Sequence, residues 1–231
     1  MLISHRYKFI YTKTVKTAGT SIESYFERFC MPDGEWEELH QRESYESETG
    51  VIGHRGRVGD RSIKWYNHMP AEEVKRLVGD DIWNSYYKFC SIRNPWDKAI
   101  SAYFHFGKDF KFKPRRRILQ KLQHPTFSGQ QHRFLAWLKK GHPPVDRDKY
   151  LINDRSCIDK FIRFEHMKDD MMEICQTLGL PWNEDWLPRF KADKRNRSIT
   201  PQELYSKPAH QVIEDCYAYE IENFNYTFDP K

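Results

Sequence analysis

The sequence predicts a three-layer α/β fold with a mainly parallel central sheet, because three short apolar runs are each followed by a helix-like stretch. The first run is Tyr7-Lys8-Phe9-Ile10-Tyr11, and behind it Ile22, Tyr25, Phe26 and Phe29 repeat at the spacing of one helix face. The second is Tyr86 to Ile92, followed at once by helix-start residues. The third is Cys157 to His166, which leads toward a helix around Met171 to Leu178.

Between the first run and its helix lies Thr14-Val15-Lys16-Thr17-Ala18-Gly19-Thr20-Ser21, which reads as a phosphate-binding loop. Gly19 would let the backbone turn tightly, the amides of Thr20 and Ser21 would point at an anion, and Lys16 would supply a mobile positive charge. The common ATP and GTP loop, G-x-x-x-x-G-K-[ST], carries its lysine after the second glycine, whereas here the lysine precedes the glycine. Taken alone, the octapeptide also fits an ordinary helix cap.

After the second run, Asn94 reads as an N-cap and Pro95 suits the first helical position. Asp97 falls three residues after the cap, where a carboxylate helps satisfy free amides. Arg93 therefore sits at a strand's end. Ligands of open α/β sheets bind beyond the carboxyl ends of the strands, so Arg93 and Lys16 are expected to open onto one crevice. Ser101, about two turns into the helix, would add a hydroxyl. A lysine site and an arginine site together suggest a ligand phosphorylated at two places.

The pair Lys16-Thr17-Ala18-Gly19-Thr20-Ser21 and Arg93-Asn94-Pro95-Trp96-Asp97-Lys98-Ala99-Ile100-Ser101-Ala102-Tyr103 resembles the two nucleotide motifs of the PAPS-dependent sulfotransferases. The closest likeness is to the branch of carbohydrate and heparan sulfate O-sulfotransferases. The resemblance implies that Lys16, Thr17, Ala18, Gly19, Thr20 and Ser21 hold the 5′-phosphosulfate of 3′-phosphoadenosine 5′-phosphosulfate (PAPS). It gives Arg93 and Ser101 to the 3′-phosphate. More loosely, Lys191 to Ser198 resembles the family's late loop, which would bring Arg197 and Lys194 to the 3′-phosphate; the alternative is mobile surface charge. The family often has proline before the loop lysine, where this chain has Val15; β-branching keeps that residue extended without proline's fixed angle.

What the resemblance implies is a single sulfotransferase domain over residues 1–231, similar in architecture to nucleotide kinases, with a P-loop-like phosphosulfate loop. The implied reaction is in-line transfer of a sulfuryl group from PAPS to an acceptor hydroxyl or amine, with 3′-phosphoadenosine 5′-phosphate (PAP) as product and no metal required. Lys16 would stabilise charge on the departing phosphate, and a general base would take the acceptor's proton. His68, shortly before the helix suggested by Pro70 and Glu72-Glu73, is the leading base, since a neutral imidazole takes a proton near pH 7. Its alternative is a loop histidine bonded to nearby backbone. His54, between Gly53 and Gly56, is the rival base, and Glu23, Asp33 and Glu35 are further options.

At 231 residues, with 39% hydrophobic and 15% aromatic side chains, the chain suits one α/β domain. No Ser/Gly-rich linker, repeat or low-complexity tract interrupts it. The N-terminus is too short and polar for a signal peptide, and no stretch approaches about 18 apolar residues, so a cytoplasmic protein without a membrane partner is expected. Five cysteines, widely spaced and odd in number, argue against a disulfide framework; Cys90 reads as packing. Neither C-x-x-C nor H-E-x-x-H occurs, which disfavours a metal site.

The net charge of +5 is uneven: Lys108, Lys111, Lys113, Arg115, Arg116 and Arg117 crowd around Phe110 and Phe112, with only Asp109 opposing them. The plain reading is a solvated loop and helix start, and the functional one is a surface for an anionic acceptor or the donor phosphates. No nucleic-acid recognition module accompanies the patch. Phe127 to Lys140 should be helical and cap the core, Thr200 to Glu203 and Gln211 to Glu222 carry helix signals, and the aromatic tail should pack.

Two other classes remain in view. An ATP-dependent P-loop kinase would need the glycine-lysine loop and a metal-holding aspartate after an apolar strand, and neither arrangement occurs. A non-catalytic module for anionic glycans would explain the basic segments but not the two motifs in order. For the acceptor, Trp36, Trp65, Tyr66 and Phe106 would stack on a sugar or on a small secondary metabolite, and a carbohydrate hydroxyl is favoured.

Overall fold

The computed structural model describes residues 1–56, 63–111, 113–141, 143–188 and 201–228. In chain order the elements are β1 (Leu2–Ser4), β2 (Phe9–Thr12), α1 (Gly19–Glu27), β3 (Tyr45–Glu46), β4 (Gly50–Ile52), α2 (Ala71–Val78), α3 (Asp80–Ser85) and β5 (Tyr87–Ile92). Then come α4 (Pro95–Phe106), α5 (Pro114–Gln123), α6 (Gly129–Lys139), β6 (Leu151–Ile152), β7 (Arg155–Ser156), β8 (Lys160–Arg163), α7 (Met167–Leu178), α8 (Pro201–Leu204), α9 (Lys207–Cys216) and α10 (Ala218–Phe224). Contacts divide the chain into two units, Met1–Ile92 with Asp146–Phe190, and Arg93–Val145 with Lys191–Lys231.

The first unit is built on a six-stranded sheet ordered β3-β4-β1-β2-β5-β8. The expected parallel core is present as β2-β5-β8, where Thr12 pairs with Cys90 and Cys90 with Phe161. The sheet as a whole is mixed, because β1 pairs antiparallel with both β2 and β4, and β3 with β4. The reason is chain length: the four residues His5–Lys8 between β1 and β2 make only a turn, with Lys8 at φ 52, and a parallel crossover needs a dozen or more.

Alternation along the strands separates two apolar faces. Leu2, Phe9, Tyr11 and Phe89 share a core with Ile22, Tyr25 and Phe26 of α1 and with Met171, Ile174 and Cys175 of α7. Met1, Ile3, Ile10 and Val51 share the other with Trp65, Met69, Val74 of α2 and Trp83 of α3. This unit is therefore three-layered. Ring centroids of Phe26 and Phe89 stand 4.9 Å apart and those of Phe9 and Phe89 5.5 Å apart, pairs worth roughly 0.5–1.5 kcal/mol each beyond burial. They pin α1, and with it the loop at its start, onto β2 and β5.

The second unit is helical. Trp96, Ile100 and Tyr103 of α4, Phe134, Trp137 and Leu138 of α6, and Ala209, Ile213 and Tyr217 around α9 form its core. The α6 helix starts with a capping box, Ser128 and Gln131 each bonding the other's backbone. The expected helix over Gln211 to Glu222 is broken into α9 and α10 at Tyr217, whose φ of −114 and ψ of 24 leave the helical region. Tyr217, Ile221 and Tyr226 of the aromatic tail pack as expected. Among the described residues no helix is long and apolar enough to cross a membrane.

Candidate functional site

The β2–α1 loop is held from beneath by hydroxyls. Thr14 donates to the Ser91 carbonyl at 2.5 Å, the Thr17 hydroxyl lies 2.8 Å from that of Ser91, and the Ser91 hydroxyl lies 3.0 Å from that of Tyr11. The Val15 amide donates to the Asp146 carboxylate at 3.1 Å. These bonds hold two non-glycine residues in the left-handed region, Lys16 at φ 64 and Ala18 at φ 58, each a conformation costing about 1–2 kcal/mol. The tight turn expected at Gly19 is thus made by Lys16 and Ala18.

Gly19 serves another need. A Cβ there would stand 2.8 Å from Cγ and 2.9 Å from Cε of Lys13, whose stem crosses the glycine face. Helix α1 starts with Ala18 as N-cap and no side-chain cap bond, so the amide of Thr20 keeps the arrangement suited to an anion. The Ser21 amide, the other one expected to face a ligand, instead donates to the Ala18 carbonyl at 2.9 Å. Thr17 is fully buried and its hydroxyl is turned toward Thr14 and Ser91. Lys16 is half-buried.

Under the loop lies an ion cluster that sequence reasoning missed. Glu23, fully buried, takes the Lys13 ammonium at 2.7 Å and the Arg55 guanidinium at 2.9 Å, while Glu27 takes Arg55 and, at 3.0 Å, Arg42. Burial alone would raise the Glu23 carboxyl, but the charges of Lys13, of the Met1 amino group at 2.6 Å and of Arg55 outweigh it and hold the group far below the carboxylate range. Burial likewise lowers Lys13. Glu23 is therefore a structural anion and no proton acceptor at neutral pH. Asp33, paired with Arg6 at 2.7 Å, and Glu35 are exposed. The only signal in the sequence was a lysine and a glutamate ten positions apart across a loop, which no periodicity links.

His68 precedes α2, as expected, at φ 59, and its Nδ1 lies 3.0 Å from the Lys13 carbonyl. Since a carbonyl only accepts, Nδ1 carries the proton and Nε2 keeps the lone pair. Burial first, then the Lys13 charge, pull the imidazole down to about 4, so it is neutral at pH 7. His54 lies on the neighbouring segment: its amide donates to the Trp65 carbonyl at 2.9 Å and its carbonyl accepts from Asn67 at 3.0 Å. Its Nε2 is buried with no hydrogen-bond partner.

In the helical unit, the Asn94 side chain caps α4 by accepting from the Trp96 amide at 3.1 Å, with Pro95 first in the helix. Asp97 stands in the first turn, and its carboxylate takes Arg93 Nε at 2.7 Å. That contact holds the guanidinium against the first turn of α4. Ser101 is half-buried, four residues beyond Asp97 on the same helix face. Arg197, Lys194 and Phe112 lie outside the described residues. Among the described residues no group of three or more His, Cys, Asp or Glu is placed to hold a metal, and no disulfide joins the five cysteines.

A family model described as "Sulfotransferase family" matches residues 1–227. An uncharacterised protein of Archaeoglobus fulgidus is 25% identical over 134 residues, 57% of this chain and 99% of that relative. No solved structure matches the chain.

Proposed function

Because the chain belongs to the sulfotransferase family, with sulfuryl transfer as its reaction class, we propose that its donor is PAPS and its acceptor a carbohydrate hydroxyl. The observation that carries the reading is the β2–α1 loop, where a left-handed Lys16 stands before a helix start without a side-chain cap. Such a loop suits a 5′-phosphosulfate: the Thr20 amide at the helix start and the charge of Lys16 would together meet an anion. Residues 1–231 then act as a single functional domain, with Arg93 and Ser101 assigned to the 3′-phosphate.

In the proposed step, the acceptor oxygen attacks sulfur in line with the phosphate oxygen that leaves. The S–O bond to the acceptor forms, the S–O bond to the phosphate breaks, and PAP departs with the electron pair. Lys16 and the amides at the start of α1 stabilise the charge growing on that phosphate. His68 Nε2 takes the acceptor proton, with the Nδ1 bond to Lys13 fixing the tautomer. The buried Nε2 of His54 offers a second polar atom for an acceptor hydroxyl. The proposed step requires no metal.

The test is thermal unfolding with saturating PAP, against ATP with magnesium and against 5′-AMP, for the wild type and Arg93→Ala. A ligand at about 100 times its dissociation constant stabilises by roughly 2.7 kcal/mol. Stabilisation by PAP alone, weakened in Arg93→Ala, is expected. Stabilisation by ATP with magnesium instead would move the reading to a kinase, and no response to any nucleotide would move it to a glycan-binding module.

A further inference from the structure

Helix α5 is oriented against the usual rule for a surface helix. Ile118, Leu119 and Leu122 fall on one arc of its circumference and are 60%, 58% and 74% exposed. Among the described side chains of α5 the one that is not exposed is Gln120, whose Oε1 is buried without a hydrogen-bond partner. A helix of ten residues gets most of its stability from packing an apolar face, and here that face meets water.

Charge says what the face awaits. Arg115, Arg117 and Lys121 on α5, and Lys108, Lys111 and Lys113 just before it, are all exposed. From Phe106 to His124 the only acidic residue is Asp109. The first turn of α5 holds Arg115 and Arg117, no acid and no side-chain cap, so positive side chains stand at the positive end of the helix dipole. An anion at that end would relieve both. Phe106, at the end of α4, is 50% exposed.

We propose that α5 is a peripheral docking helix for an anionic lipid bilayer surface. Ile118, Leu119 and Leu122 enter the boundary between headgroups and acyl chains, and Arg115, Arg117, Lys121 and the preceding lysines meet the lipid phosphates. An anionic polysaccharide would satisfy the cations and leave three aliphatic side chains in water. A second copy of this chain would cover the aliphatics and, in a two-fold contact, set one cluster of cations against another. A bilayer of anionic lipid accommodates both sets. The inference is independent of the donor and acceptor proposed above.

The experiment is co-sedimentation of the full chain with vesicles of phosphatidylcholine, alone or with about a third phosphatidylglycerol, at low and high salt (about 50 and 500 mM). Binding to the anionic vesicles only, weakened by salt, is expected. Arg115→Gln/Arg117→Gln should weaken it about fivefold per charge removed. Leu119→Ser/Leu122→Ser should weaken it more than about tenfold. These side chains are exposed, so thermal unfolding of both variants should match the wild type. The proposal is overturned if the wild type ignores anionic vesicles, if Leu119→Ser/Leu122→Ser binds them at full strength, or if light scattering shows a dimer that Leu122→Ser dissociates.

Discussion

His68 Nδ1 lies 3.0 Å from the carbonyl oxygen of Lys13, which ties the candidate base to the first residue of the loop that carries Lys16. One backbone oxygen thereby sets the imidazole tautomer, while the side chain of the same residue is clamped by Glu23 at 2.7 Å. The candidate base and the loop that carries Lys16 are thus joined through one residue, Lys13.

That contact makes a pH prediction. His68 is held down to about 4 from 6.5, by burial first and by the Lys13 charge second. The unfolded chain takes up this proton near its ordinary value while the fold resists it. The stability linked to His68 is therefore complete above about pH 6.5 and lost as the pH falls toward 4, by on the order of 3 kcal/mol. His68→Asn, a residue that tolerates positive φ, should flatten that segment of the curve in urea unfolding between these pH values. Turnover should fall about 10²–10⁴-fold with PAP affinity almost unchanged.

Lys16 separates function from folding. Lys16→Ala should lower the transfer rate about 10²–10³-fold, the loss expected for a charge that stabilises the transition state. Lys16→Gly should be equally inactive and unfold no earlier than the wild type, because glycine relieves the cost of φ 64. Activity with Lys16→Gly near that of the wild type would remove the lysine from the mechanism.

Gly19→Ala should damage the loop through Lys13. The added methyl would stand 2.8 Å from Lys13 Cγ, and the lysine cannot swing aside while Glu23 holds its ammonium. A destabilisation of about 1–3 kcal/mol is expected in thermal unfolding, with weaker PAP binding as the loop shifts.

Glu23→Gln should be the most destabilising single change near the site, by about 3–5 kcal/mol, because it leaves the Lys13 ammonium and the Met1 amino group buried without their anion and leaves Arg55 with Glu27 alone. Adding Lys13→Met removes the orphaned ammonium and should recover part of the loss. Equilibrium unfolding in urea of the two variants decides it.

Much of this was legible where the information is local. Asn94 and Pro95 announce α4 by cap chemistry, the apolar spacing of Ile22, Tyr25 and Phe26 announces the buried face of α1, and Pro70 with Glu72-Glu73 announces α2 behind His68. The short strands β1, β3 and β4 were illegible, since two or three residues carry no readable period and only pairing with a distant strand makes them strands. Asp97 stands in the first turn of α4, where the cap rule puts an acid, and it also takes Arg93, four residues earlier on the same face, a pairing that no cap rule names.

The sequence by itself determined the strand–loop–helix order, the caps, the two motifs and hence the family, because each rests on residues within a few positions of one another. Only the tertiary structure decided that Lys13 is a buried clamp and Lys16 the loop's left-handed cation, that Glu23 is an anchor instead of a base, and that His68 is neutral with its proton on Nδ1. Those properties depend on desolvation and on partners dozens of residues away, such as Arg55 for Glu23, Ser91 for Thr17 and Asp146 for Val15, and no local pattern encodes either.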